Sequence, residues 1–125
     1  MSTMPTQFCK CAHSKSLWNA TKRGHSECVQ SLLAEPCIDV NAVNMYGETA
    51  LVCAALVARH DCMQSILAAP GVNVNAATKQ RATALMFSAR RGAEDCVQSL
   101  LAAPGIDVNA TNKHGTTALI WAATD

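Results

Sequence analysis

The chain repeats itself every 34 residues. Ser31–Ala42, Ser65–Ala76 and Ser99–Ala110 align without a gap, and residues 47–80 match residues 81–114 at 17 of 34 positions. Thr49-Ala50-Leu51 returns as Thr83-Ala84-Leu85 and Thr117-Ala118-Leu119. Cys28, Cys62 and Cys96 keep the same period, as do Gln30, Gln64 and Gln98. A fixed period of this length marks one supersecondary unit used several times, each too small to bury its own apolar face. The units must therefore stack on one another.

Each period contains a physical unit. Residues 49–57 and 83–91 are strong helix formers with little to break them. Cys62 to Leu67 is apolar at i, i+1, i+4 and i+5, which predicts the buried stripe of a second helix. His60-Asp61 and Glu94-Asp95 place acids in its first turn, where the helix dipole favours negative charge. Pro-Gly stops that helix, and Val-Asn-Val-Asn or Ile-Asp-Val-Asn leads into a polar turn. The unit is helix, turn, helix, long turn. Composition agrees: Ala supplies 22 residues, whereas Phe, Tyr and Trp total five. Such a chain packs thin helices at close range rather than interlocking large side chains.

These residues resemble ankyrin repeats. Gly47-Glu48-Thr49-Ala50-Leu51-Val52-Cys53-Ala54-Ala55 is similar to the family's Gly-x-Thr-Pro-Leu-His-x-Ala-Ala opening. Gly115 to Ala123 is similar again, and Asp107-Val108-Asn109-Ala110 resembles the family's closing segment. The resemblance covers roughly 13–125. It implies an all-α, ankyrin-repeat solenoid of stacked helix-turn-helix units with hairpin-like turns. The units fall at about 13–46, 47–80 and 81–114, with a partial fourth at 115–125 and a flexible N-terminal tail at 1–12. Ala replaces the family's Pro at 50, 84 and 118, and Val52, Met86 and Ile120 replace its His. Ala58 replaces a helix-separating Gly that is kept at Gly24 and Gly92, and Arg81 replaces a hairpin Gly. Stacking, more than signature hydrogen bonds, is expected to hold the fold. Leu119 is expected to pack back on the third unit, leaving Ile120 and Ala123 outward. A fragment of a longer array, a frayed end and an end covered by another chain all account for that open face. The last adds self-association through the C-terminal end to the expectations.

Bulk properties exclude several functions. The net charge of +1 argues against nucleic-acid binding as the main task. The longest apolar stretch, Ala50 to Ala58, is about half of a membrane span, so no membrane insertion is expected. Seven Cys and no leader-like apolar run near Met1 suggest a soluble, cytoplasmic protein with reduced thiols, the nucleus remaining open. No nucleophile elbow, phosphate loop, zinc-protease motif or paired buried carboxylates occur, so neither catalysis nor a cofactor is expected. Cys28, Cys62 and Cys96 open the second helices. They read as small core residues rather than activated thiols, because all three units carry one. Asn41, Asn75 and Asn109 are expected to satisfy turn backbone through their amides. Cys9-Lys10-Cys11-Ala12-His13 supports an alternative function, a redox- or metal-responsive regulator, although C-x-C lacks the usual zinc spacing and a second pair.

The resemblance implies a protein-interaction module or adaptor that binds a partner through a concave face of hairpin tips and first helices. Carried over by position, that face comprises Tyr46, Glu48, Val57, Lys79, Arg81, Phe87, Arg90, Arg91, Lys113, His114 and Trp121, with Cys53 also on the exposed side of its helix. Tyr46, Phe87 and Trp121 are three of the five aromatics, and aromatics with Arg are frequent interface anchors. Packing against neighbouring helices accounts equally well for Phe87 and Trp121. Bases map to tips and ends of first helices, acids to starts of second helices. Dipole complementarity explains the acids but not Lys79, Arg81 and Lys113 at the tips. A partner with an acidic or acidic–apolar segment explains those bases.

Overall fold

The computed structural model describes residues 14–35 and 38–123, and the side chains of 17–35 and 38–120. Residues 1–12, expected as a flexible tail and including Cys9 and Cys11, lie outside the described residues. Among the described residues seven helices follow one another: α1 (Ser14–Arg23), α2 (Ser26–Leu33), α3 (Ala50–Leu56), α4 (His60–Leu67), α5 (Ala84–Arg91), α6 (Glu94–Leu101) and α7 (Ala118–Ala123). Among the described residues there is no strand, only an isolated antiparallel bridge between Ala77 and Thr83. The helices pack in two rows, α1-α3-α5-α7 and α2-α4-α6, cross-linked by α1-α2, α3-α4 and α5-α6 pairing. This is the all-α solenoid that the period demands.

The first helices of units two to four begin at a threonine. Thr49 Oγ accepts from the Val52 N–H and Thr83 Oγ from the Met86 N–H, and Thr117 repeats the pattern with Ile120. Each satisfies one N–H that the helix start leaves open. The following Ala50, Ala84 and Ala118 are buried, so the first-helix row closes on methyl groups. Second helices have no side-chain cap at His25, Arg59 or Ala93. They carry Glu27, Asp61, and Glu94 with Asp95 in their first turns instead, which complements the helix dipole. Their inward stripes are Val29 and Leu32, then Cys62, Met63 and Ile66, then Cys96 and Leu100.

The long turns are stitched between units. Asn41 Nδ2 donates to the Gly71 carbonyl at 2.9 Å, and its Oδ1 accepts from the Asn73 N–H at 2.7 Å. One unit later, Asn75 Nδ2 donates to the Gly105 carbonyl at 2.8 Å and Oδ1 accepts from the Asp107 N–H at 2.7 Å. Each amide thus satisfies backbone of the next unit, while within its own turn the Asn backbone N–H donates to the side chain of Asp39 or Asn73.

The C-terminal end departs from expectation. Leu119 is 78% exposed and Ile120 48%, while Ala118 is the buried residue of α7. Leu119 therefore does not pack back on the third unit. α7 keeps its contact with α5, yet its leucine is bare, whereas Leu51 and Leu85 are buried.

Three positions depart from what the other units carry at a cost in stability. Ala58 has φ +55° and Arg81 φ +65°, the left-handed region where a side chain costs about 1–2 kcal/mol. The equivalent Gly24, Gly92, Gly47 and Gly115 have none to strain. Ser88 is fully buried and its hydroxyl lacks a hydrogen-bond partner, where unit two has Ala54. Ala58→Gly and Ser88→Ala are each expected to raise stability by about 0.5–1 kcal/mol, read as a higher urea midpoint with unchanged slope. An unchanged midpoint in both would mean that neither position is strained.

Candidate functional site

The hairpin tips are built on one residue per unit. Asn44 Oδ1 accepts from the Tyr46 and Glu48 N–H groups, at 2.9 and 3.0 Å. Thr78 Oγ takes the Gln80 and Ala82 N–H groups, and Asn112 Oδ1 those of His114 and Thr116. The tips also join one another: the Lys79 N–H donates to the Tyr46 carbonyl and the Lys113 N–H to the Gln80 carbonyl. Gly47 permits this approach, because a Cβ there would stand 3.0 Å from the Lys79 nitrogen. Asn44, Thr78 and Asn112 were not among the expected site residues, although their 34-residue spacing was present in the sequence.

Two clefts lie between the tips and the first helices. The larger, of about 590 Å³, is lined by Tyr46, Leu56, Lys79, Phe87, Arg90 and His114 among others. Its neighbour, about 500 Å³, is lined by Trp18, Lys22, Val43 and Asn44. Both share Met45, Tyr46 and Glu48, which form the ridge between them. Met45 and Tyr46 are 72% and 62% exposed. Phe87 and Leu56 are half-buried and pack on the core, so for Phe87 the packing role that the sequence left open is met. Arg90 and Arg91 line a further cleft with Leu56 and Phe87. A groove of about 630 Å³ on the second-helix side is bounded by Leu67, Val72, Ala102 and Pro104 and has no charged lining.

Of the expected residues, Tyr46, Glu48, Lys79, Phe87, Arg90 and His114 meet around one cleft. Arg81, Arg91 and Lys113 are exposed nearby in sequence. Leu56 lines two of these clefts, and its neighbour Val57 is the half-buried C-cap of α3. Trp121 lies on α7, but its side chain is outside the described ones.

Cys53 is corrected outright: it is 3% exposed, not on an open helix face. Its Sγ donates to Glu48 Oε1 at 3.8 Å, and the same oxygen accepts from Asn44 Nδ2 at 2.9 Å. Glu48 is thereby held by its own hairpin. Burial, reinforced by the Glu48 carboxylate, pushes the Cys53 thiol up to about 12. Burial also raises the Cys62 and Cys96 thiols, the opposite direction from activation by the helix start. Cys53, Cys62 and Cys96 are expected to resist a thiol reagent at pH 8 in the folded protein and to react at once in urea. Rapid native labelling of Cys62 would contradict this. The sign for stability follows. The folded state holds the Cys53 proton more tightly than the unfolded chain, so this contribution is complete below about pH 9 and is lost as pH rises towards 12. Cys53→Ala is expected to flatten the alkaline limb of a stability–pH curve.

Among the described residues no group of three or more His, Cys, Asp and Glu side chains could hold a metal ion, and no helix is long and apolar enough to cross a membrane. No curated protein matches the chain closely. The family model described as ankyrin repeats (3 copies) matches residues 6–78 and 55–125. With the helix pairs, the hairpin tips and this match in agreement, the chain belongs to the ankyrin-repeat family.

Proposed function

We propose that the protein is an adaptor that binds a partner protein through its concave, tip-and-first-helix face. Ankyrin repeats are generally protein–protein interaction modules, as a rule without catalytic activity of their own. The observation that carries the choice of face is the convergence of Tyr46, Phe87, Lys79, Arg90 and His114 on one cleft, against an uncharged groove on the second-helix side. Exposed aromatic and cationic groups around a partly apolar floor suit a partner segment with acidic and apolar side chains. Free thiols at Cys53, Cys62 and Cys96 are consistent with a reducing, cytoplasmic setting.

The test is capture of binding proteins by wild type beside charge-reversed variants. Arg90→Glu/Arg91→Glu is expected to reduce the captured partner at least tenfold, and Lys79→Glu/Lys113→Glu to act in the same direction. Gln64→Ala/Gln98→Ala, on the second helices, is expected to change little. Circular dichroism and thermal melts establish that each variant is folded. Equal capture by both charge-reversed proteins would remove this face from consideration.

A further inference from the structure

We infer that this face reads a short extended segment of its partner, with two apolar side chains about three residues apart and a carboxylate beside the one that enters the larger cleft. The inference rests on the adaptor reading above and specifies its ligand. The argument starts from the ridge. Met45 and Tyr46 line both clefts and are the most exposed large apolar side chains of the groove. A bound chain must cross them, placing one side chain on each side. On one side the apolar wall is Trp18 and Val43, and on the other Leu56 and Phe87. Packed helices of successive units lie about 8–10 Å apart. An extended chain rises about 3.3 Å per residue, so neighbouring clefts correspond to about three residues.

Charge gives the segment a polarity. The larger cleft gathers Lys79, Arg90 and His114, while the smaller has Lys22 alone. The one acid in either lining is Glu48, on the shared ridge, where its Oε1 already accepts from Asn44 and Cys53. A carboxylate on the ligand is therefore favoured at the Lys79–Arg90–His114 side and disfavoured over the ridge. The same ridge acid disfavours a nucleic-acid strand, whose evenly spaced phosphates would have to pass over Glu48.

The probe is a fluorescein-labelled decapeptide with Leu and Phe three residues apart and Asp next to Phe, titrated with the 125-residue protein by fluorescence anisotropy at about 0.15 M salt. Three altered peptides accompany it: Asp changed to Asn, Leu and Phe both changed to Ser, and Leu and Phe made adjacent. A labelled ten-nucleotide oligothymidylate is run in parallel. Each altered peptide is expected to bind at least fivefold more weakly than the parent, and the oligonucleotide more weakly still. Tyr46→Ala is expected to weaken the parent peptide at least fivefold and Gln98→Ala to leave it within twofold. Equal binding of all four peptides, tighter binding of the oligonucleotide, or absent binding by folded protein would each overturn the inference. If these occur while Arg90→Glu/Arg91→Glu still abolishes partner capture, the adaptor reading stands and only the ligand is wrong. If capture is also unchanged, both fall.

Discussion

Met63→Ala is expected to lower the unfolding free energy by about 2–5 kcal/mol. Met63 is wholly buried on α4, the middle second helix, beside Cys62 and Ile66. α4 packs on α3 within its own unit and on α2 and α6 on either side. Truncation removes apolar contact and leaves a cavity that three neighbouring helices must close. Those helices are themselves fixed by Val29, Leu32, Cys96 and Leu100, all nearly or fully buried, so collapse is limited. In a linear array the loss weakens both interfaces of the central unit. Urea unfolding followed by circular dichroism measures it directly. A loss under 1 kcal/mol would show that the middle unit is loosely packed and that the end units carry the fold.

The second large effect lies outside the core. Asn41→Ala/Asn75→Ala is expected to cost about 2–4 kcal/mol, because each amide makes two hydrogen bonds to the next turn and each bond is worth about 1 kcal/mol net. The two sites stitch different unit boundaries, so their single costs should add to within about 0.5 kcal/mol. Asn109→Ala is the internal control. Asn109 is exposed, and its backbone N–H, not its amide, makes the recorded bond to Asp107. A loss below about 0.5 kcal/mol is expected there. If Asn109→Ala costs as much as Asn75→Ala, the inter-unit bonds contribute nothing and the residue acts only within its own turn.

The unit was legible because its determinants are local and repeated. Thr at 49, 83 and 117 caps the first helices, and acids at 27, 61, 94 and 95 mark the second. The buried thiols of Cys62 and Cys96 were legible for the same reason, as a small apolar type at a fixed register. The candidate site was legible as a list of positions but not as a shape. Cys53 looked exposed by helical spacing, yet the Glu48–Asn44 hairpin folds over it. Position on a helix wheel does not register a loop that returns to cover that face. Leu56, next to the expected Val57, lines the larger cleft, a detail of side-chain placement that spacing alone does not give.

The sequence by itself determined the period, the all-α class, the helix starts and the family, since these follow from residue types at fixed spacing within one unit. What lies between units was decided only in three dimensions. The Met45–Tyr46 ridge with a cleft on each side arises from tips joined by backbone bonds that no residue type announces. The bare Leu119 shows the same thing from the opposite direction. It has the residue type and register of the buried Leu51 and Leu85, yet it is exposed. Burial in a solenoid belongs to the interface between two units, so one unit's sequence can propose it and only the neighbour can complete it.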